Sequence, residues 1–307
     1  MKKKPLKEIS TSVRAKLLNI SRSTGRDFQE LAARYTVERF LARMTISNHR
    51  DRFVLKGAML YIPWKLDDKR TTKDLDLLGL GSSDMENIKK VFKEICETHI
   101  EDDGLIFNIE SIEVLQIREK SIYEGVRILM DVYLEKMSIR LQVDVGFGDP
   151  IIPAPQPTEF PALFAEHGPV IRAYSPETVI AEKFNAMIVL GMANSRMKDY
   201  YDIWMLSKSF NIEANVLRLA IKQTFNKRQT AFPDAEPIAL SDEFFQNESK
   251  QNQWKGFIRR QKRINSAPDL REIVKSLRIF LLPIVIQLDS ESVTINTWTP
   301  ENGWSYK

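Results

Sequence analysis

Two aspartates, Asp74 and Asp76, lie one residue apart in a stretch that predicts a β-strand. Side chains alternate faces along a strand, so both carboxylates point the same way, about 6.6 Å apart along the backbone. Like charges on one face repel each other, and a divalent cation between them removes that repulsion. Because Mg²⁺ is commonly held by one or two carboxylates together with substrate phosphates, the pair predicts a metal-dependent nucleotidyl-transfer site. The alternative is a pair of solvated charges in a loop or at a strand edge.

Lys56 and Gly57 interrupt an apolar run upstream of the two acids, between residues 53–55 and residues 58–61. Glycine lets a nucleotide phosphate approach the backbone, where a side chain would block it. The N-terminus of a helix attracts anions through its unpaired N–H groups and its dipole. We therefore expect a helix to begin after Gly57 and to lead to the strand of the acids, so that phosphate-binding groups and metal ligands lie side by side.

A third aspartate, Asp144, lies near the far end of a predicted β-hairpin. Residues 125–134 and 138–146 are rich in aliphatic and β-branched side chains, and a short polar break at 135–136 separates them. Asp144 shares one face of the second strand with Arg140 and Gln142. It is the expected third metal ligand, and the alternative is an exposed acid at the end of a strand.

Five stretches stand in a defined order along the chain: residues 12–19, 52–60, 70–76, 175–183 and 196–203. Together they resemble the nucleotidyltransferase toxins of the AbiEii/AbiGii group, from about Val13 to about Leu206. The resemblance implies an α+β fold, with a DNA polymerase β-like nucleotidyltransferase core and a mixed sheet. N-terminal helices and a mainly helical C-terminal domain would flank this core.

The resemblance also implies roles for single residues. Gly57, Asp74 and Asp76 match the positions that bind NTP, the substrate, and Mg²⁺ (or Mn²⁺). The family's lysine matches Lys183 and its late acid matches Asp199. The expected residues for binding the nucleotide are Lys56, Gly57, Arg70, Thr72 and Lys183.

Two metal ions about 3.5–4 Å apart can hold the attacking oxygen and the leaving group of such a transfer. We assign Asp74 and Asp76 to both metals, and Asp144 to the metal that activates the acceptor hydroxyl. Lys183 would steady the triphosphate, and Asp199 would orient Lys183 or the acceptor. Without the resemblance, Lys183 would be an ordinary surface lysine and Asp199 a member of a surface salt bridge.

The resemblance implies RNA as the acceptor, notably the acceptor end of tRNA, and a partner antitoxin, which we expect to be a winged-helix transcriptional regulator. Within residues 254–263, Trp254 and Phe257 alternate with cations, and aromatic rings can stack on unpaired bases. The alternative is a charged helix face with both rings in the core. The expected RNA-binding residues are Lys255, Arg259, Arg260, Lys262 and Arg263.

Composition agrees with a protein of the reducing cytoplasm. The 307 residues carry a net charge of +4 and a single cysteine, Cys96, so a disulfide scaffold is excluded. The lysines at 2–4 lack a following apolar segment, which argues against a secretory signal, and no apolar run reaches the ~20 residues of a membrane span. The expected division is an N-terminal helical segment (1–50), a nucleotidyltransferase core (51–150), a proline-rich connector (151–174) and a mainly helical domain (175–307).

Two other functions compete with an RNA-modifying toxin. One is a nucleotidyltransferase whose acceptor is a protein hydroxyl or a small molecule, and the basic stretch weighs mildly against the small molecule. The other is a catalytically inactive binding module, against which the intact Gly57, Asp74, Asp76, Asp144 and Lys183 argue.

Overall fold

The computed structural model describes residues 5–66, 74–118, 124–261, 268–288 and 294–306. The chain forms two compact units, of Met1–Gly148 with Gln156–Ala173, and of Asp149–Pro155 with Tyr174–Lys307. The first unit begins with two helices, α1 (Leu6–Thr24) and α2 (Phe28–Ile46), as the helical pattern before residue 50 predicts.

A mixed sheet forms the centre of the first unit. Among the described residues it has seven strands: β1 (Phe53–Lys56), β2 (Leu75–Gly79), β3 (Leu105–Arg118), β4 (Glu124–Leu134), β5 (Met137–Phe147), β6 (Gln156–Glu159) and β7 (Val170–Ala173). Their order is β3-β4-β5-β2-β1-β7-β6, so β2 is the central strand. It runs parallel to β5 and antiparallel to β1. The mixed sheet confirms the expected fold class.

Aliphatic side chains of the central strands are buried on one face of the sheet, where α2 and α3 (Met85–Glu97) pack against it. Leu75 and Leu77 of β2 are fully buried, which the alternation of leucine and aspartate predicts. The rings of Phe40 and Phe92 stack with centroids 5.5 Å apart, and Phe53 meets Phe92 edge-on at 5.7 Å. Burial of one face directs the alternate, polar residues of β2 and β5 to the other face.

The proline-rich stretch 151–174 is more than the extended connector expected from its sequence. It contains β6 and β7, and β7 pairs with β1 in parallel, with Leu55 opposite Ala173. Prolines are tolerated in an edge strand such as β6, because its outer N–H groups need no partner in the sheet.

The second unit is mainly helical, as expected. Its helices are α4 (Pro176–Leu190), α5 (Met197–Ser207), α6 (Ala214–Lys227), α7 (Asp242–Gln246), α8 (Glu248–Arg260) and α9 (Leu270–Ile286). The Ser175 hydroxyl accepts a hydrogen bond from the Thr178 N–H, and Pro176 occupies the first turn, so α4 begins where the sequence predicts. A small antiparallel sheet of β8 (Ile212–Glu213), β9 (Ile295–Thr299) and β10 (Gly303–Tyr306) packs its tryptophans against Phe280 of α9.

Within the described ranges, no helix combines the length and the apolar character that crossing a membrane would require.

Candidate active site

The polar face of the central strands carries a row of four charged residues, in which two acids stand between two cations. Lys56 of β1 lies opposite Asp76 of β2, Asp76 lies opposite Asp144 of β5, and Asp144 lies opposite Arg127 of β4. Residues opposite each other on neighbouring strands share a face, with Cβ atoms about 4.5–5.5 Å apart. Asp74 lies one residue before β2, two positions from Asp76, and is exposed. The structure thus brings the three predicted aspartates to one face, together with Lys56.

Gly57 lies directly against this row. Its φ of +70° is unfavourable for any other residue, and a Cβ built on it would overlap the Asp76 carboxylate. The strict need for glycine here comes from contact with a predicted metal ligand, which supports a site where the backbone approaches the substrate closely.

The expected helix after Gly57 is only a 3₁₀-helix of five residues, Gly57–Tyr61. Pro63 lacks the N–H group that a longer helix would use at that position. So short a segment has too small a dipole to bind a phosphate as a full helix does, and our prediction of a helical phosphate cradle is therefore wrong. The close approach of the backbone at Gly57 remains.

Arg127 is a member of the row that we did not predict. Its Nε and Nη2 atoms donate hydrogen bonds to the two carboxylate oxygens of Asp144, at 2.8 and 2.7 Å. These bonds raise the pKa of Arg127, and the negative charges of Asp74 and Asp76 raise it further. Arg127 therefore interacts electrostatically with all three predicted metal ligands.

The carboxylates suit a cation that the substrate helps to bind. Among the described residues, no three His, Cys, Asp or Glu side chains form a group that would hold a metal ion by themselves. Both oxygens of Asp144 accept hydrogen bonds from Arg127, and Asp74 and Asp76 supply two further carboxylates on the same face. Mg²⁺ usually takes one or two protein carboxylates and completes its shell with phosphates and water, so hard oxygen donors of this number fit it.

Lys183 and Asp199 meet in the second unit, in a buried cluster between α4 and α5. The Lys183 Nζ atom lies 2.9 Å from Asp199 Oδ1 and 2.7 Å from Asp202 Oδ2, and both aspartates are fully buried. Arg196 Nε contacts Asp199 Oδ2 at 2.7 Å. Burial would raise the pKa of Asp199, but the charges of Lys183 and Arg196 outweigh it and lower that pKa. The cluster is therefore a buried ion network, unlike the surface pairs that sequence spacing alone suggests.

The predicted RNA-binding helix exposes cations but buries its aromatic rings. Lys255, Arg259 and Arg260 of α8 are exposed, whereas Trp254 and Phe257 are at most 6% exposed and pack around Tyr201. Of the two interpretations of this stretch, the structure confirms the charged helix face with both rings in the core, because the helix turns its apolar stripe inward. A groove of about 750 Å³ lies beside α8, and its lining includes one cation and one acid, Arg260 and Glu248, with Ser195, Asn252 and Gln253.

Four predicted site residues, Arg70, Thr72, Lys262 and Arg263, lie outside the residues that the structure describes. The others fall into two groups, one in each unit: the row with Gly57 in the first, and the Lys183 cluster and α8 in the second.

Comparisons with known proteins bear on the family and the fold of this chain. Residues 39–276 match the model of the family described as "Nucleotidyl transferase AbiEii toxin, Type IV TA system". The structure resembles that of JHP933 from Helicobacter pylori, at 16% identity and a TM-score of 0.50, covering 86% of this chain and 95% of that one. A candidate nucleotidyltransferase from H. pylori gives 15% identity and a TM-score of 0.49, covering 87% and 99%. A search of curated proteins gave no match.

The likeness to JHP933 shows a shared fold. The family match spans well over half of the chain, and Gly57, the three aspartates, Lys183 and Asp199 lie within the matched range. This chain therefore belongs to the AbiEii family, the nucleotidyltransferase toxins of toxin–antitoxin systems.

Proposed function

We propose that this nucleotidyltransferase depends on Mg²⁺ (or Mn²⁺) and transfers a nucleotide from NTP to RNA, such as the acceptor end of tRNA. The observation that carries the proposal is the row on the central strands, in which Asp76 and Asp144 stand opposite each other beside Gly57 and Lys56. The exposed cations of α8 support a polyanionic acceptor, since Lys and Arg contribute most of the affinity for phosphate backbones.

Asp74 and Asp76 would hold the metal, which neutralises charge on the triphosphate and makes the acceptor hydroxyl more acidic when bound. Gly57 lets the triphosphate approach the backbone, and Lys56 supplies a positive charge beside it. The acceptor oxygen forms a bond to the α-phosphorus, the bond from that phosphorus to the β-phosphate oxygen breaks, and pyrophosphate leaves with the electron pair. The proton of the hydroxyl passes to solvent. Such transfer requires positioning and charge neutralisation rather than a covalent enzyme intermediate.

The test is incubation of the protein with Mg²⁺, each α-³²P-labelled NTP in turn and total tRNA. We expect label on tRNA with one or more nucleotides, and an Asp74→Asn/Asp76→Asn variant should lose at least roughly 100-fold of the rate, because metal ligation contributes several kcal/mol of transition-state stabilisation. Asp131→Asn is the matched control, since Asp131 lies on the same face of β4 but pairs with Arg140 at 3.0 Å.

Equal labelling by the double variant and the wild type would contradict the assignment of the acids. Label on protein, or on an added small molecule, would move the acceptor to the alternative class. No label with any nucleotide would support an inactive binding module.

Family membership implies an antitoxin. We propose that it is a winged-helix transcriptional regulator, and that toxin and antitoxin act in the cytoplasm, where NTP and tRNA occur. Expression of the chain should stop growth, and co-expression of a winged-helix regulator from the same operon should restore it. Growth arrest that persists with the regulator present would contradict this assignment of the partner.

A further inference from the structure

Asp144, the expected third metal ligand, accepts hydrogen bonds from Arg127 on both of its carboxylate oxygens. The Arg127 guanidinium donates two parallel hydrogen bonds to the Asp144 carboxylate, at 2.8 and 2.7 Å, and we call this bidentate pair the fork. Charge-assisted pairs of this geometry are among the strongest hydrogen bonds in proteins. A cation that recruits Asp144 would have to share it with a guanidinium, at a position opposite Asp76 on the neighbouring strand.

The fork is also accessible to a substrate. Arg127 is 38% exposed and Asp144 is 22% exposed, so the pair lies at the surface of the sheet, where an ion pair adds little to stability. The pair is one of nine residue pairs in the register of β4 with β5, which extends from Val126–Val145 to Leu134–Met137. Arginine binds phosphate in the same bidentate manner as carboxylate, so a triphosphate offers the guanidinium an equivalent partner.

We propose that Arg127 is a positioning residue that competes with the metal for Asp144 and gives Asp144 up when the substrate triphosphate takes the guanidinium. This proposal rests on the proposed function, because it assumes a divalent cation at the row. Its consequence is an order of assembly. The cation alone binds weakly because a positive group already neutralises Asp144, and the complete set of ligands forms only with the nucleotide.

The test measures Mn²⁺ binding in the absence of nucleotide. The electron paramagnetic resonance signal of free Mn²⁺ reports how much of the ion remains unbound. Arg127→Gln should tighten binding about tenfold, because it removes one positive charge within a few ångströms of a divalent ion. Arg140→Gln is the matched control. Arg140 lies on the same hairpin face and bridges two acids that are not expected metal ligands, Asp131 at 3.0 Å and Glu113 at 2.8 Å. Its removal should therefore leave the Mn²⁺ affinity unchanged.

Thermal unfolding of each variant shows whether it is folded, and Arg127→Lys provides a second variant that keeps the charge but cannot form the fork. Its Mn²⁺ affinity should lie between those of the wild type and Arg127→Gln. Unchanged or weaker binding in Arg127→Gln would overturn the proposal, and so would equal tightening in Arg140→Gln. If the wild type binds Mn²⁺ but Arg127→Gln binds no tighter, the proposed function stands without this inference. If no variant binds Mn²⁺, the metal site of the proposed function fails as well.

Discussion

At the scale of single residues, Gly57 brings its backbone into close contact with the Asp76 carboxylate. Gly57→Ala should abolish most of the transfer activity and lower stability, because the new methyl group overlaps the Asp76 carboxylate and the φ of +70° is strained for alanine. Gly25→Ala is the matched control, since Gly25 has a φ of +71° but open space where the new methyl group would lie. It should cost about 1–2 kcal/mol of unfolding free energy from backbone strain and leave activity unchanged.

Chemical denaturation and the labelled-nucleotide assay separate the two effects. If both variants lost the same stability and the same activity, strain alone would explain Gly57, and its contact with Asp76 would be irrelevant to function.

The residues of the row differ in how far sequence could predict them. Asp74 and Asp76 follow from strand alternation, and Asp144 follows from its hairpin. Arg127 could also have been found: with Leu134 opposite Met137, counting seven residues back and seven forward pairs Arg127 with Asp144. The pairing of Lys56 with Asp76 could not be found in this way. The connection between their strands is long, and only a tight turn determines the register of two strands.

At the scale of elements, α4 and α5 are joined by charge as well as by apolar packing. Lys183→Met should cost about 3–5 kcal/mol of unfolding free energy, because it leaves two fully buried carboxylates without their shared cation. Lys208→Ala is the control at the C-terminal end of α5, where an exposed lysine should contribute less than about 0.5 kcal/mol. Adding Asp202→Asn to Lys183→Met should recover part of the loss by removing one buried charge.

The same cluster predicts a dependence on pH. The pKa of Asp199 in the folded protein is below its ordinary value of 3.8, so its ion pairs stabilise the fold fully above that value. This stabilisation is lost as the pH falls through the lowered pKa. In Lys183→Met, burial raises the pKa of Asp199 with less opposition from positive charge. Acid unfolding should therefore begin at a higher pH, which circular dichroism during an acid titration would show. Identical acid transitions in both proteins would contradict a buried ion network.

Elements with a strong periodic signal were predictable, whereas those set by tertiary packing were not. The β4–β5 hairpin and the start of α4 follow from local residue types. The strands β6 and β7 were missed because prolines at 153, 155 and 157 favour an irregular segment, whereas β7 is a strand through its pairing with both β6 and β1. The sequence left two interpretations open for Trp254 and Phe257, because their burial depends on a neighbour, Tyr201, that sequence does not place.

At the scale of the whole molecule, the chain passes between its two units three times, near residues 148, 155 and 173. The unit that carries the row is therefore completed by residues that follow the first crossing. Within it, β7 pairs with β1, and the Leu163 N–H donates to the buried Glu38 carboxylate at 2.8 Å. A truncation at the first crossing removes both contacts.

This path predicts which fragment can fold. A fragment of residues 1–173 keeps all seven described strands of the sheet and should be monomeric, with a cooperative thermal transition. A fragment of residues 1–148 lacks β6 and β7, so β1 becomes an edge strand whose side chains, Phe53, Val54 and Leu55, are almost fully buried in the intact chain. Exposed apolar edges pair with other chains, so this shorter fragment should aggregate. Size-exclusion chromatography and circular dichroism compare the two fragments, and a monomeric, cooperatively unfolding 1–148 fragment would show that the nucleotidyltransferase sheet is complete without its last two strands.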